Sequence, residues 1–363
     1  MPLHTITTDS PSEFRDWAYL PPEIVELIST KVKSIKDYVR FRTVCSPWRS
    51  ASLPKLCHHP PQLPWLMLPY NPFKPRDPSW LVFYDFWGYK MHKFHVPLSD
   101  DTTCYASCRG WLLLVGSEGG EALLLNPLTQ DRIQLPPFTD RIEKTFANCK
   151  LTFSGDLADP NCMITVFPKG SRLLFCCQVG DSCWTRYDCR LDDTTKLTDV
   201  TYYNGLLYSL YEGDMMIYES NKLVEKIALE PKLRIARKCF MEGKSGVYVL
   251  ALHPTKKIEL YKFKEQFMDL RQISDTSNNT AIFYADNYPC LAVSTDDWDS
   301  LDGGCVYMDY NCSSYAWKSA VESSCRIYCA QWGNASIQHV VQDPSKKRRW
   351  PPEPAMWFQP TFF

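Results

Sequence analysis

The chain has 363 residues, with 40 Lys and Arg against 41 Asp and Glu, for a formal net charge of −1. That balance excludes the basic excess that a nucleic-acid or membrane surface selects, so neither is expected as a partner. No apolar run approaches the ~20 residues of a membrane-spanning helix. Asp9, Glu13 and Asp16 break up the start of the chain, which lacks the apolar core of a secretory signal. The length accommodates two domains.

Residues 1–17 carry no periodic apolar face and are expected to be disordered. From Leu20 to Ser50 the pattern is helical. Pro21 and Pro22 suit a first helical turn, where a missing N–H would be unpaired anyway. Ile24, Val25, Leu27, Ile28 and Val32 then recur at helical spacing. Glu23 and Glu26 near the start and Lys31 and Lys33 near the end complement the helix macrodipole. Ser34 or Asp37 can cap a second helix carrying Tyr38, Val39 and Phe41. Pro47 can open a third, leaving Val44, Cys45 and Trp48 to close a small core. Three short helices leave much apolar surface for so small a module. They serve either as a recruiting module or as a cap on the chain's own C-terminal body.

This segment resembles the F-box. The likeness lies in the Leu20-Pro21-Pro22 opening, the Ile24/Leu27/Ile28 helix, the Asp37-x-x-x-Phe41 step and the Val44-Cys45-x-x-Trp48-Arg49 close. The resemblance implies an F-box over residues 18–52 that binds the Skp-type adaptor of a cullin–RING ubiquitin ligase. Leu20, Pro21, Ile24, Leu27, Ile28, Val44 and Trp48 stand at positions that contact the adaptor or shape that surface.

Residues 53–79 are proline-rich and read as a linker packed on the body, with prolines excluding a regular central strand. Trp65, Leu66, Met67 and Leu68 would be costly to expose together. From residue 80 onward short strands alternate with turns. Leu81 to Gly88 and Tyr89 to Val96 form one pair. Gly110 to Pro137 gives three strands, with turns at Gly119-Gly120 and Asn126-Pro127. Asp199 to Glu219 turns at Asn204-Gly205 and at Glu212-Gly213-Asp214. Lys244 to Phe267 turns at His253-Pro254. Units recurring every 40–50 residues or so, without intervening helices, predict a β-propeller of five to seven blades. A β-sandwich is the alternative.

The body resembles the C-terminal kelch-like domain of unknown function (number 295) in plant F-box proteins. Three groups carry the match: Cys108 to Leu114 leading through Asn126-Pro127-Leu128-Thr129 to Leu135-Pro136-Pro137; Asp199-Val200-x-Tyr202-x-Asn204-Gly205; and Gly303-Gly304 with Trp357-Phe358-x-Pro360. The resulting expectation is a mainly β chain with a small N-terminal α module, a three-helix F-box followed by a kelch-like propeller over residues 80–363.

Chemical motifs are sparse. The chain has no G-x-S-x-G elbow, P-loop or H-E-x-x-H. His92 and His95 lie three apart on a strand and project to opposite faces, and His253 serves a turn. Asp100-Asp101, Asp192-Asp193 and Asp296-Asp297 sit at turns, where Asp is favoured. Gly116, Gly119 and Gly120 precede a strand, not the helix a phosphate loop needs. The Lys346–Arg349 run suits a solvated turn, with a nuclear-import signal as the alternative. Sixteen cysteines are scattered through apolar runs. Cys176 and Cys177 point to opposite faces of a strand, so free thiols are expected, and no metal or cofactor.

The expected function is the non-catalytic substrate-recognition subunit of an SCF-type ubiquitin ligase, working in the nucleus or cytoplasm. The helices would hold the adaptor, and through it a cullin, while the propeller binds an unidentified target protein. Trp80, Trp87, Trp184 and Trp332 are the candidate target contacts. The alternatives are an F-box scaffold without target ubiquitination and a propeller that binds a small molecule.

Overall fold

The computed structural model describes residues 17–32, 35–52, 63–68, 79–85, 90–96, 102–116, 121–138, 149–168, 171–189, 196–219, 222–243, 246–253, 257–273, 280–284, 290–296, 303–309, 325–331, 337–342 and 356–361. The chain divides into two compact units, residues 1–62 and 63–363.

The first unit holds a 3-10 turn (Trp17–Tyr19) and three helices: α1 (Pro22–Lys31), α2 (Ile35–Arg42) and α3 (Ser46–Ala51). Pro22 and Pro47 occupy the first turns of α1 and α3, as their fixed φ favours. Helix α3 packs against both other helices and the 3-10 turn. The core is small: Val25 and Tyr38 are each 1% exposed, and Ser29 and Ser52 are buried with them. Both serines satisfy their hydroxyls on carbonyls, Ser29 on Glu26 at 2.7 Å and Ser52 on Trp48 at 2.5 Å. Two expectations are corrected here. Trp17 is not part of a disordered arm, because its carbonyl accepts the Trp48 indole N–H at 2.9 Å. Val44 does not close the core and is 59% exposed. Tyr38 takes that role, since its buried hydroxyl is paired with the Ser52 carbonyl at 2.8 Å.

The second unit consists of six sheets. The first contains β1 (Trp65–Leu68), β2 (Trp80–Asp85) and β3 (Lys90–His95). The second contains β4 (Thr103–Cys108), β5 (Trp111–Val115), β6 (Ala122–Leu125) and β7 (Arg132–Leu135). The third contains β8 (Cys149–Phe153), β9 (Met163–Pro168), β10 (Leu173–Gln178) and β11 (Thr185–Asp188). The fourth contains β12 (Leu197–Tyr203), β13 (Leu206–Tyr211), β14 (Asp214–Glu219) and β15 (Lys222–Ala228). A single helical turn, α4 (Pro231–Arg234), leads to the fifth: β16 (Arg237–Gly243), β17 (Gly246–Leu252), β18 (Ile258–Lys264) and β19 (Asp269–Gln272). The sixth contains β20 (Thr280–Tyr284), β21 (Leu291–Ser294), β22 (Cys305–Asp309), β23 (Cys325–Gln331) and β24 (Ile337–Gln342). Last comes β25 (Met356–Phe358).

Strand β25 returns to the first sheet, pairing antiparallel with β1 so that Phe358 faces Trp65. The order becomes β25-β1-β2-β3. The two ends of the unit thus share a blade, which closes a six-bladed propeller and leaves the short strand β25, in place of β1, at the edge of the sheet. This corrects the reading of residues 53–79 as a linker without a central strand. β1 lies between β25 and β2, and Pro64 and Pro69 bracket it in the sequence without interrupting it. The sixth blade is also irregular, because β20 and β22 pair in parallel.

The cores lie between blades, which explains strands buried on both faces. In β5, Leu112 and Leu114 join a cluster with Leu66 and Phe83 of the first blade. The intervening Trp111, Leu113 and Val115 pack with Leu151 and Ile164 of the third. An alternating strand between two apolar neighbours therefore reads as a continuous apolar run. Cys176 and Cys177 follow the same rule and enter different clusters.

Candidate functional site

Helix α1 has two apolar faces, and only one is used for folding. Val25 and Ser29, one turn apart, face inward. On the other side Ile24 and Leu27 are 43% and 56% exposed, and Ile28 is half-buried. Pro21 is exposed and Leu20 half-buried just ahead of them. Val44 adds an exposed aliphatic side chain between α2 and α3, and Trp17 and Tyr19 are exposed in the 3-10 turn. Trp48 is half-buried, with its ring 4.5 Å from that of Phe41 and its N–H held by Trp17. All seven expected docking residues thus lie on the helical unit at exposed or half-buried positions. Trp17 and Tyr19 were not among them, since they precede the periodic segment.

The four expected target-contact tryptophans are not gathered into one site. Trp80 lies edge-on to His95 at 5.0 Å and packs on the first-blade cluster. Trp184 stacks on Phe138 at 4.6 Å and donates its indole N–H to the Pro136 carbonyl at 2.8 Å. Both brace the fold, in different clusters. Trp87 and Trp332 lie outside the described residues, as do Asp100-Asp101, Asp192-Asp193 and the Lys346–Arg349 run. His92 and His95 project to opposite faces as expected: His92 stacks on Trp65 at 3.9 Å while His95 meets Trp80.

Two polar clusters in the propeller escaped sequence reasoning. In the first, Asp199 on β12 pairs with the Lys150 ammonium on β8, both fully enclosed. The same carboxylate accepts the N–H of Phe240 on β16 at 2.7 Å and that of Val200 at 2.8 Å. One side chain thus ties three consecutive blades. Burial is the largest single influence on the Lys150 pKa and would lower it, but the charge and hydrogen bond of Asp199, together with Cys239 and Cys290, hold the group above its ordinary value. The second cluster surrounds Glu259 on β18. Its carboxylate receives Tyr261 at 2.5 Å, Lys257 at 2.5 Å, His253 at 2.9 Å and Gln272 at 3.1 Å. Burial would raise its pKa, but the Lys257 and Tyr261 hydrogen bonds and the His253 charge hold it at about 2. Every acceptor position is occupied from within the blade, as in a structural network, with no open position for a substrate. Among the described residues, no three histidine, cysteine or acidic side chains converge as a metal site requires.

The KIB1-4 beta-propeller family matches residues 83–328. The chain belongs to this family. Its relatives among curated Arabidopsis thaliana proteins are F-box proteins. F-box only protein 7 is 34% identical over 135 residues, covering 37% of this chain and 33% of that one. F-box protein At2g17036 is 31% identical over 131 residues, covering 35% and 30%. F-box/kelch-repeat protein At3g18720 is 23% identical over 267 residues, covering 68% and 67%. The chain therefore spans about a third of the length of the first two.

Proposed function

We propose that this KIB1-4 propeller protein is the substrate-recognition subunit of an SCF-type ubiquitin ligase, working in the nucleus or cytoplasm. The helical unit docks the Skp-type adaptor, and through it a cullin. The propeller holds a target protein and performs no chemistry itself. The observation that carries this reading is the outward face of α1. Ile24 and Leu27 add nothing to the small core formed by Val25, Tyr38, Ser29 and Ser52, yet they are apolar and exposed. Contiguous apolar surface of that kind marks a partner site. Leu20, Pro21, Ile28, Val44 and Trp48 complete the docking surface, and the F-box relatives support the assignment.

The test is co-purification of the full chain with a recombinant Skp-type adaptor. Ile24→Asp with Leu27→Asp should abolish it, because two carboxylates enter an apolar interface. Both positions are exposed, so circular dichroism and thermal unfolding should match the parent. Leu27→Asp with Ile28→Asp should have the same effect on binding. Adaptor binding unchanged in the Ile24/Leu27 variant would overturn the assignment. Target ubiquitination compared with and without residues 1–50 separates a ligase subunit from a scaffold.

A further inference from the structure

Neighbouring blades are joined by specific contacts between their inner strands. Lys150 of the third blade pairs with Asp199 of the fourth, and Asp199 accepts the Phe240 N–H of the fifth. The next joint, from the fifth blade to the sixth, has a different chemistry. Met241 on β16 forms a single parallel bridge with Cys290, the residue ahead of β21. Cys239 lies two residues before Met241, on the same side of β16. It shares with Cys290 the apolar cluster between the two blades. The two thiols hydrogen-bond to each other. Both are reduced and buried.

Other buried thiols have better partners. Those of Cys104, Cys149 and Cys189 point to backbone carbonyls, and that of Cys176 meets the Thr165 hydroxyl at 3.2 Å. A thiol that faces a thiol has only a weak acceptor. As packing, a small apolar side chain would serve either position. Two facing sulfurs add the capacity for a covalent bond between strands that a single backbone bridge holds. The Lys150–Asp199 pair lies close enough to act on both. Burial pushes the Cys290 thiol well above its ordinary value, Cys239 and Asp199 add to this, and the Lys150 charge opposes it. Little thiolate forms at rest, so the pair reacts slowly. Lys150 is the cation that steadies the thiolate when one forms.

We infer that Cys239 and Cys290 are an oxidation site, closed to a disulfide by a peroxide, which joins the fifth and sixth blades covalently. This does not depend on the substrate-receptor reading. One sulfur, as its thiolate, attacks a peroxide oxygen and the O–O bond breaks. The departing hydroxide takes up the proton that the thiol released and leaves as water. The second sulfur then attacks the sulfenic acid. The S–S bond forms, the S–O bond breaks, and a second water leaves with the second thiol's proton. The sulfur pair gives up the two electrons that reduce the peroxide. A peroxide is small and uncharged, which suits an enclosed pair. The bond closes a long loop and so stabilises the folded chain by constraining the unfolded one.

The test treats the full chain, freshly reduced and freed of reductant, with excess hydrogen peroxide. Remaining thiols are blocked with iodoacetamide in denaturant, and the chain is digested without reduction and mapped by mass spectrometry. The expected result is a peptide pair cross-linked through Cys239 and Cys290 as the main cross-link within the chain. It should be absent before peroxide, appear more slowly than oxidation of the exposed Cys183, and vanish on treatment with dithiothreitol. The oxidised chain should unfold at a higher urea midpoint before dithiothreitol than after it. That comparison isolates the disulfide, because dithiothreitol leaves oxidised methionine in place. Cys290→Ala should abolish both the cross-link and the midpoint difference. The peptide map of the parent chain decides the question even where that variant folds poorly. Three results would each overturn the proposal: Cys239 and Cys290 still open to alkylation after prolonged peroxide, either one cross-linked mainly to a different cysteine, or a cross-link that fails to raise the midpoint.

Discussion

The Ser107 hydroxyl donates a 2.8 Å hydrogen bond to the carbonyl of Trp357, 250 residues away in sequence. Ser107 lies on the inner strand of the second blade and Trp357 on the returning strand that completes the first. The indole N–H of Trp357 reaches in the other direction, to the Tyr284 carbonyl of the sixth blade at 3.1 Å. One residue thus joins three blades at the point of closure. Beyond it, Thr361 donates its hydroxyl to the Arg109 carbonyl at 2.7 Å, and Asn126 donates to the Thr361 carbonyl at 3.0 Å. Gly110 permits this approach: its φ is +82°, and an added Cβ would sit 2.0 Å from the Thr361 hydroxyl.

Trp357→Ala removes both the closing hydrogen bond to Tyr284 and a fully buried ring. Truncation of such an aromatic costs about 3–5 kcal/mol, against a total stability of about 5–15 kcal/mol. Urea unfolding should show a much lower midpoint, with proteolysis beginning near the C-terminus. An unchanged midpoint would mean that β25 contributes nothing to closure. Trp111, buried between the second and third blades, should behave similarly on stability without selective cleavage at that end.

Asp199→Ala should be more damaging than its position on a single strand suggests. It strands the enclosed Lys150 ammonium and frees the Phe240 and Val200 N–H groups. Breaking a buried pair by removing one partner costs about 3–5 kcal/mol. Removing both charges, with Lys150→Met and Asp199→Leu together, should recover part of the loss. The comparison requires equilibrium unfolding of the two single variants and the double. A double variant less stable than the sum of the single losses would contradict the account.

Much of the fold was legible because its signals are local. The turns at Asn204-Gly205 and Asn126-Pro127, the strands Leu206–Tyr211 and Ile258–Lys264, and the prolines opening α1 and α3 follow from residues adjacent in sequence. The failures concern partners distant in sequence. Nothing near Trp65 announces Phe358, so a four-residue strand between prolines reads as linker. Lys150 and Asp199 are 49 residues apart, and their pairing depends on the ring bringing β8 beside β12. Val44 fits a core by composition, but Tyr38 also offers a hydroxyl for the Ser52 carbonyl and displaces it. The outward apolar side of α1 was visible as a surplus of apolar positions. Which of them point outward required knowing that Val25 and Ser29 are the buried residues of α1.

Glu259 gives the fifth blade a defined response to acid. Its folded pKa, about 2, lies below the ordinary 4.5. The folded state therefore resists protonation more than the unfolded state. The stabilisation is complete above about pH 4.5 and is lost as the pH falls toward 2. Glu259→Gln keeps the shape without the charge. It should be less stable than the parent at neutral pH, and the gap should narrow through that window. Urea midpoints measured from pH 7 down to pH 3 check the sign. A gap that widens on acidification would show that the carboxylate is protonated in the folded state.

The cysteines should separate into one fast thiol and a protected majority. Cys183 is exposed, whereas Cys108, Cys149, Cys162, Cys176, Cys177, Cys239, Cys290 and Cys305 are buried. Burial pushes the Cys176 thiol up to about 11 and those of Cys104, Cys177 and Cys189 to about 12, so little thiolate forms near neutrality. Brief iodoacetamide treatment of the native chain should therefore mark Cys183 before any other described cysteine. In denaturant and without prior reduction, all sixteen should be modified, as counted by intact mass. Fewer would reveal disulfides. Stoichiometric zinc in the native protein would instead direct attention to Cys57-His58-His59, which lies outside the described residues. Rapid native labelling of Cys176 or Cys177 would be the sharper contradiction. Those two thiols face opposite blade interfaces, and neither can react unless the packing between blades opens.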